Sequence, residues 1–146
     1  MMNVEQIRAL ANRRNPSPDY RRVTAECDHA IKMGPLSPAA HSELLYYYAE
    51  AMARLDPARA PMCIQYAQRA AKLANEASKN LIFVRATCLH LRLRAQIGED
   101  LRLLQGQFSR LKKNIESGKL PLTAEERAQT AKFIAGTETV INLRRS

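Results

Sequence analysis

Tryptophan is missing from this chain of 146 residues, and phenylalanine and cysteine each occur three times. Cys27, Cys63 and Cys88 form neither a close pair nor a CxxC motif. That argues against a disulfide framework and fits buried thiols in a reducing compartment. Glycine is scarce as well. Gly98 and Gly106 stand isolated, and no GxxxxGK[ST] stretch occurs, so no phosphate-cradling loop is expected. Histidine is limited to His29, His41 and His90, with no pair at i, i+4, and a metal site lacks converging ligands. Glu99-Asp100 and Glu125-Glu126 read as helix-start carboxylates that favour the macrodipole. Nucleophilic catalysis needs a base beside the nucleophile and a third group to orient it. Cys27-Asp28-His29 and Cys88 with His90 are too close in sequence to face one another on a helix. The chain is expected not to be an enzyme, with no catalytic residue, metal or cofactor.

No run approaches the ~20 apolar residues of a membrane span. The opening MMNVEQIRAL has no apolar core of the secretory kind, so a cytoplasmic location is expected, without membrane contact. Arg8, Arg13 and Arg14 in the first segment leave mitochondrial import open, while Glu5 and the lack of serine there count against it.

What is present points to helices. Apolar residues make up 46% of the chain, enough for one domain spanning 1–146 with its own core. Alanine, leucine and arginine, all good helix formers, dominate. Breaker clusters at 15–19, 34–38, 55–61, 76–80, 97–100 and 117–123 divide the chain into helix-length pieces, none with strand alternation. Helices are predicted at about 3–14, 18–33, 38–55, 59–77, 79–96, 99–117 and 124–143. Ser17-Pro18, Ser37-Pro38 and Asp56-Pro57 place a capping side chain before a proline, and Thr123 to Glu126 reads as a capping box. Gly34 and Gly118 fit helix stops.

An apolar stripe recurs on the even-numbered helices: Val23, Cys27, Ala30 and Ile31, then Cys63, Ala67, Ala70 and Ala71, then Leu104, Phe108 and Leu111. The copies lie 40 and 41 residues apart. Even spacing predicts an all-α fold of three stacked antiparallel helical hairpins over 3–117, closed by a C-terminal capping helix at 124–143. Phe133, Thr137 and Val140 or Ile141 share one face of that last helix.

The pair at 45–71 resembles a tetratricopeptide (TPR) repeat. Leu45, Tyr48, Ala49 and Met52 match on its first helix, and Cys63, Ala67 and Ala70 on its second. The pair at 81–111 matches more loosely. The spacing departs from the family period of about 34 residues, and the consensus Trp, Gly and Pro are missing. The resemblance implies that the first helix of each pair lines a concave face that holds a partner peptide.

Three of the five tyrosines are consecutive, in Tyr46-Tyr47-Tyr48. At 100° per residue, Tyr48 falls on the Leu45–Ala49–Met52 stripe and is predicted to be core. Tyr47 is marginal, and Tyr46, beside Glu43, Glu50 and Arg54, is predicted to be exposed. Exposed tyrosines on a concave face make a rigid anchoring platform. Tyr46, Tyr47, Arg54, Tyr66, Arg85 and Arg92 are therefore the candidate contacts for a peptide or helix of acidic character, the tyrosines anchoring and the arginines pairing with carboxylates or phosphates. The alternative reading is that the tyrosines cap the core edge.

Charge is the other signal. Lys plus Arg total 23 against 14 Asp plus Glu, a net of +9. Between Arg59 and Lys119 there are 12 basic and 4 acidic residues, a net of +8. Arg69, Lys72, Arg102, Arg110, Lys112 and Lys113 form a second candidate set for a nucleic-acid phosphate backbone, provided their helices lie side by side. No sequence-reading motif accompanies them. The expected function is an adaptor or chaperone-like interaction module, with ribonucleoprotein association as the alternative.

Overall fold

The computed structural model describes residues 2–145. Among them are seven α-helices and no strand: α1 (Val4–Ala11), α2 (Tyr20–Met33), α3 (Pro38–Leu55), α4 (Ala60–Glu76), α5 (Asn80–Gln96), α6 (Leu101–Glu116) and α7 (Ala124–Arg145). A single 3-10 turn, Pro57–Arg59, joins α3 to α4. No helix among the described residues is long and apolar enough to cross a membrane.

Local chemistry sets the boundaries. Ser37 Oγ accepts from the Ala40 amide at 3.2 Å with Pro38 in the first helical position, and Asp56 caps the 3-10 turn. Thr123 and Glu126 form the expected reciprocal capping box. Two boundaries differ from the sequence expectation. α2 starts at Tyr20 because Asp19, and not Ser17, accepts from the Arg22 amide. α1 stops at Ala11 with Asn12 as its C-cap: the Asn12 side-chain amide donates to the Arg8 carbonyl, and the Arg13 amide then closes a tighter turn on the Leu10 carbonyl. Gly98 and Gly118 end α5 and α6 at φ +93° and +82°, a region that a β-carbon disfavours.

Helix packing follows a ladder. α1 packs on α3, α3 on α5 and α5 on α7, while each even-numbered helix fits between its two chain neighbours. Matched contacts show that α1 runs with α3, since Arg8 meets Glu43 and Asn12 meets Tyr47. α5 runs with α7, since Arg85 meets Phe133 and Cys88 meets Thr137. This is the arrangement of stacked hairpins, with α7 on the last pair. The even-helix stripes are the inward faces: Cys63, Ala67 and Ala70 are fully buried, and Leu104, Phe108 and Leu111 are buried.

The apolar interior divides on either side of α5. A large cluster joins α1 to α5 around Leu44, Leu45, Ala67 and Leu89. Two smaller ones lie between α5, α6 and α7, around Val84 with Leu111 and around Leu91 with Phe108 and Ile141. α5 is thus buried nearly all round and lacks a single apolar stripe. α3, flanked by α1, α2, α4 and α5, is in the same position.

That enclosure reverses the expected order of the tyrosines. Tyr46 is 0% exposed and Tyr47 3%, whereas Tyr48 is half-buried. The Glu43–Tyr46–Glu50 face of α3, read from sequence as a solvent face, meets α1 and α5 through a polar network.

Candidate functional site

The odd-numbered helices enclose a cleft of about 780 Å3. Its walls come from Arg8, Asn12, Arg13 and Arg14 at the end of α1, and Glu43, Tyr47, Glu50 and Arg54 on α3. Lys79, Asn80, Ile82 and Arg85 at the start of α5 and Glu126, Gln129, Lys132 and Phe133 on α7 complete them. These four helices are successive neighbours only because the ladder skips the even-numbered ones.

Arg85 organises the floor. Only 9% exposed, it donates through Nε to the Tyr46 hydroxyl at 3.2 Å and through Nη1 to Asn12 Oδ1 at 3.0 Å. Its guanidinium lies 4.8 Å from the Tyr46 ring centroid and 4.4 Å from that of Phe133, and Nη2 is 3.9 Å from Glu50. The Tyr46 hydroxyl donates to Glu50. Beside this, the Tyr47 hydroxyl donates to Glu43 at 2.7 Å and accepts from Asn12, and Arg8 forks onto both Glu43 oxygens. A guanidinium withdrawn from water costs several kcal/mol unless it is compensated, and here two hydrogen bonds, the Glu50 charge and two aromatic faces do so.

Protonation states follow from that network. Burial pushes the Glu43 carboxyl up, but hydrogen bonds from Arg8 and Tyr47 outweigh it and hold the group below its ordinary range. Burial raises the Tyr46 hydroxyl well above its usual value, and the Glu50 charge adds to this. For Arg85, burial works against the charge, yet Tyr46 and Glu50 keep it firmly protonated. The floor is therefore a hydrogen-bonded network of two cations and two carboxylates in which burial keeps both tyrosine hydroxyls protonated.

The rim differs. Arg14, Lys79 and Lys132 are exposed and hold no ion pair among the described residues. Arg13 donates to the Pro16 carbonyl, and Arg54 lies 5.3 Å over the Tyr20 ring. The carboxylates that line the cleft nearest its floor, Glu43 and Glu50, are already matched by Arg8 and Arg85. Apart from Glu126, whose carboxylate accepts from the Thr123 amide, the remaining charged surface of the cleft is cationic, and Phe133, Tyr47 and Ile82 are apolar parts of its lining.

The sequence candidates meet this site unevenly. Tyr47, Arg54 and Arg85 line the cleft, although Tyr47 and Arg85 serve as floor and are not protruding contacts. Tyr46 is a correction: it lies beneath the floor, sealed by Arg85 and Tyr47, and offers no surface. Tyr66 is also elsewhere, stacked edge-on against Tyr48 at 5.4 Å, and Arg92 is half-buried on α5 away from the lining. Sequence reading missed Arg14, Lys79, Lys132 and Phe133. Their separation along the chain left no local pattern, and only the ladder brings them together.

The second set does not merge into one ridge. Arg69 and Lys72 project from α4, and Arg102, Arg110 and Lys113 from α6, but α4 and α6 do not touch. Lys112 is engaged with Glu138 at 3.7 Å and lies 5.0 Å over the Phe108 ring.

Elsewhere, burial governs the titratable groups. It pushes the Cys27 thiol up to about 12 and Cys88 to about 11, and it lowers His90 to about 4 with help from Arg94. No group of three or more His, Cys, Asp or Glu poised for a metal occurs among the described residues. No family model, curated protein or solved structure matches the chain.

Proposed function

We propose that this chain is a non-enzymatic interaction module, adaptor or chaperone-like, built of stacked TPR-like hairpins whose cleft holds an acidic peptide or helix of a partner protein. One observation carries the reading. The exposed rim cations Arg14, Lys79 and Lys132 surround a floor whose own carboxylates are already neutralised. A guest carboxylate entering there finds donors without displacing a native partner. The preformed floor keeps the ordering cost of binding low.

The test is fluorescence anisotropy with a labelled peptide alternating glutamate and leucine, set against the same peptide with lysine for glutamate. The glutamate peptide binds and the lysine peptide does not. Lys79→Glu with Lys132→Glu weakens binding by roughly tenfold, or about 1.4 kcal/mol. Equal affinity of wild type and double variant removes the cleft from the account.

A further inference from the structure

Outside the cleft, to whose lining it contributes no residue, α6 carries a second row of cations. Arg102, Arg110 and Lys113 fall at i, i+8 and i+11, on one side of the helix, and all three are exposed. None of them holds an ion pair among the described residues, in contrast to Lys112. At 1.5 Å per residue the row extends over about 16 Å.

Gly106 sits in the middle of that row, four residues from both Arg102 and Arg110, and is itself exposed. Glycine weakens a helix interior, so its presence there asks for a reason. Packing supplies none, since a β-carbon at Gly106 would meet nothing within 4 Å. The backbone supplies none either, since the residue is helical with an ordinary negative φ. A bare strip of main chain between cations does have one physical use. It lets a bulky anionic chain come close enough for side chains on both flanks to reach its charges.

We infer that the outer face of α6 binds the phosphate backbone of nucleic acid, through Arg102, Arg110 and Lys113 across Gly106, independently of the cleft. Exposed Ser109 adds a hydroxyl donor on the same face. Contacts of this kind position a chain without reading its sequence, which fits the absence of any base-reading motif.

The experiment uses the full chain and two labelled probes, a single-stranded RNA and a DNA duplex of ~20 nucleotides, titrated across salt. Three phosphate contacts give log–log slopes of about −2 for the single strand and about −3 for the duplex. Arg102→Gln with Arg110→Gln and Lys113→Gln flattens the slope and lowers affinity by roughly tenfold at low salt. Gly106→Met, which by helix propensity keeps or raises Tm, weakens binding severalfold because its side chain stands where the backbone must approach. Lys79→Gln with Lys132→Gln leaves nucleic-acid affinity unchanged, so failure here is distinct from failure of the cleft. The inference is overturned by the absence of salt-dependent binding in wild type, or by undiminished affinity in either α6 variant. Displacement of both probes by acidic peptide or anionic vesicles also overturns it.

Discussion

The Arg85 guanidinium lies 4.8 Å from the Tyr46 ring centroid while its Nε donates to the hydroxyl of the same ring. One charged residue of α5 thus stacks on and bonds to a fully buried tyrosine of α3, and the same guanidinium reaches Asn12 and Phe133. Helices from four parts of the chain converge on this point, which is both the floor of the cleft and a fastening of the ladder.

Removing the guanidinium leaves Tyr46, Asn12 and Glu50 without their shared partner. Arg85→Met is expected to cost about 3 kcal/mol, since truncating one side of a buried pair strands the other. Arg85→Lys is not expected to rescue it, because an ammonium does not present the planar fork. Urea unfolding of the three proteins checks both outcomes, and a loss below 1 kcal/mol for Arg85→Met contradicts the assignment.

Tyr46 separates two roles. Tyr46→Phe keeps the ring and is expected to cost about 1 to 2 kcal/mol, from the hydrogen bonds lost at Glu50, which keeps only its Arg85 ion pair, and at Arg85 Nε. Tyr46→Ala empties a core site and is expected to cost about 4 kcal/mol. Because the residue is beneath the cleft, Tyr46→Phe at a temperature where it stays folded leaves peptide affinity unchanged. Anisotropy alongside thermal unfolding reads both.

Stability is expected to rise with pH between about 4 and 6.5. His90 in the folded protein titrates near 4, against 6.5 for the exposed group, because burial and then Arg94 disfavour its charge. Between those values the unfolded chain binds a proton that the folded chain refuses. The stabilisation is therefore complete above 6.5 and lost as pH falls to 4, up to about 3 kcal/mol for one such group. His41, lowered chiefly by burial and then by Arg69, acts in the same direction, and Glu43 extends the trend into more acid solution. Unfolding free energies at closely spaced pH values, with His90→Gln as comparison, check it. An equal pH slope in the variant contradicts the role of His90.

The three thiols are expected to resist aromatic disulfide reagents in native buffer and to react fully in denaturant. Cys27, Cys63 and Cys88 are all buried, and burial raises each thiol above its ordinary value. Since the thiolate is the reactive form, native rates should fall well below those of the unfolded chain. A thiol that reacts at once in native buffer contradicts its placement.

These residues also show which parts of the fold the chain announces. Ser37, Asp56 and Thr123 mark helix starts because a cap is a local device, complete within four residues. The stripes of α4 and α6 are legible because those helices have one wet side, and period alone then separates inside from outside. α3 and α5 have almost no wet side. On such helices a charged or tyrosyl residue is buried through partners distant in sequence, as Glu43 is by Arg8 and Arg85 by Asn12. Helical periodicity assigned Tyr46 and Arg85 to solvent because it counts polarity and does not see partners. Lys79 and Lys132 were hidden for a related reason: they become neighbours of one cleft only after α5 and α7 are laid alongside.

Amide hydrogen exchange of the full chain, with and without saturating glutamate–leucine peptide, tests the central claim most directly. Slowed exchange is expected only in the segments that border the cleft, residues 8–18, 43–54, 78–85 and 126–133, with α4 and α6 unaltered. Protection on α4 or α6 alone, or none anywhere at a concentration where anisotropy reports binding, would contradict a guest held between the odd-numbered helices.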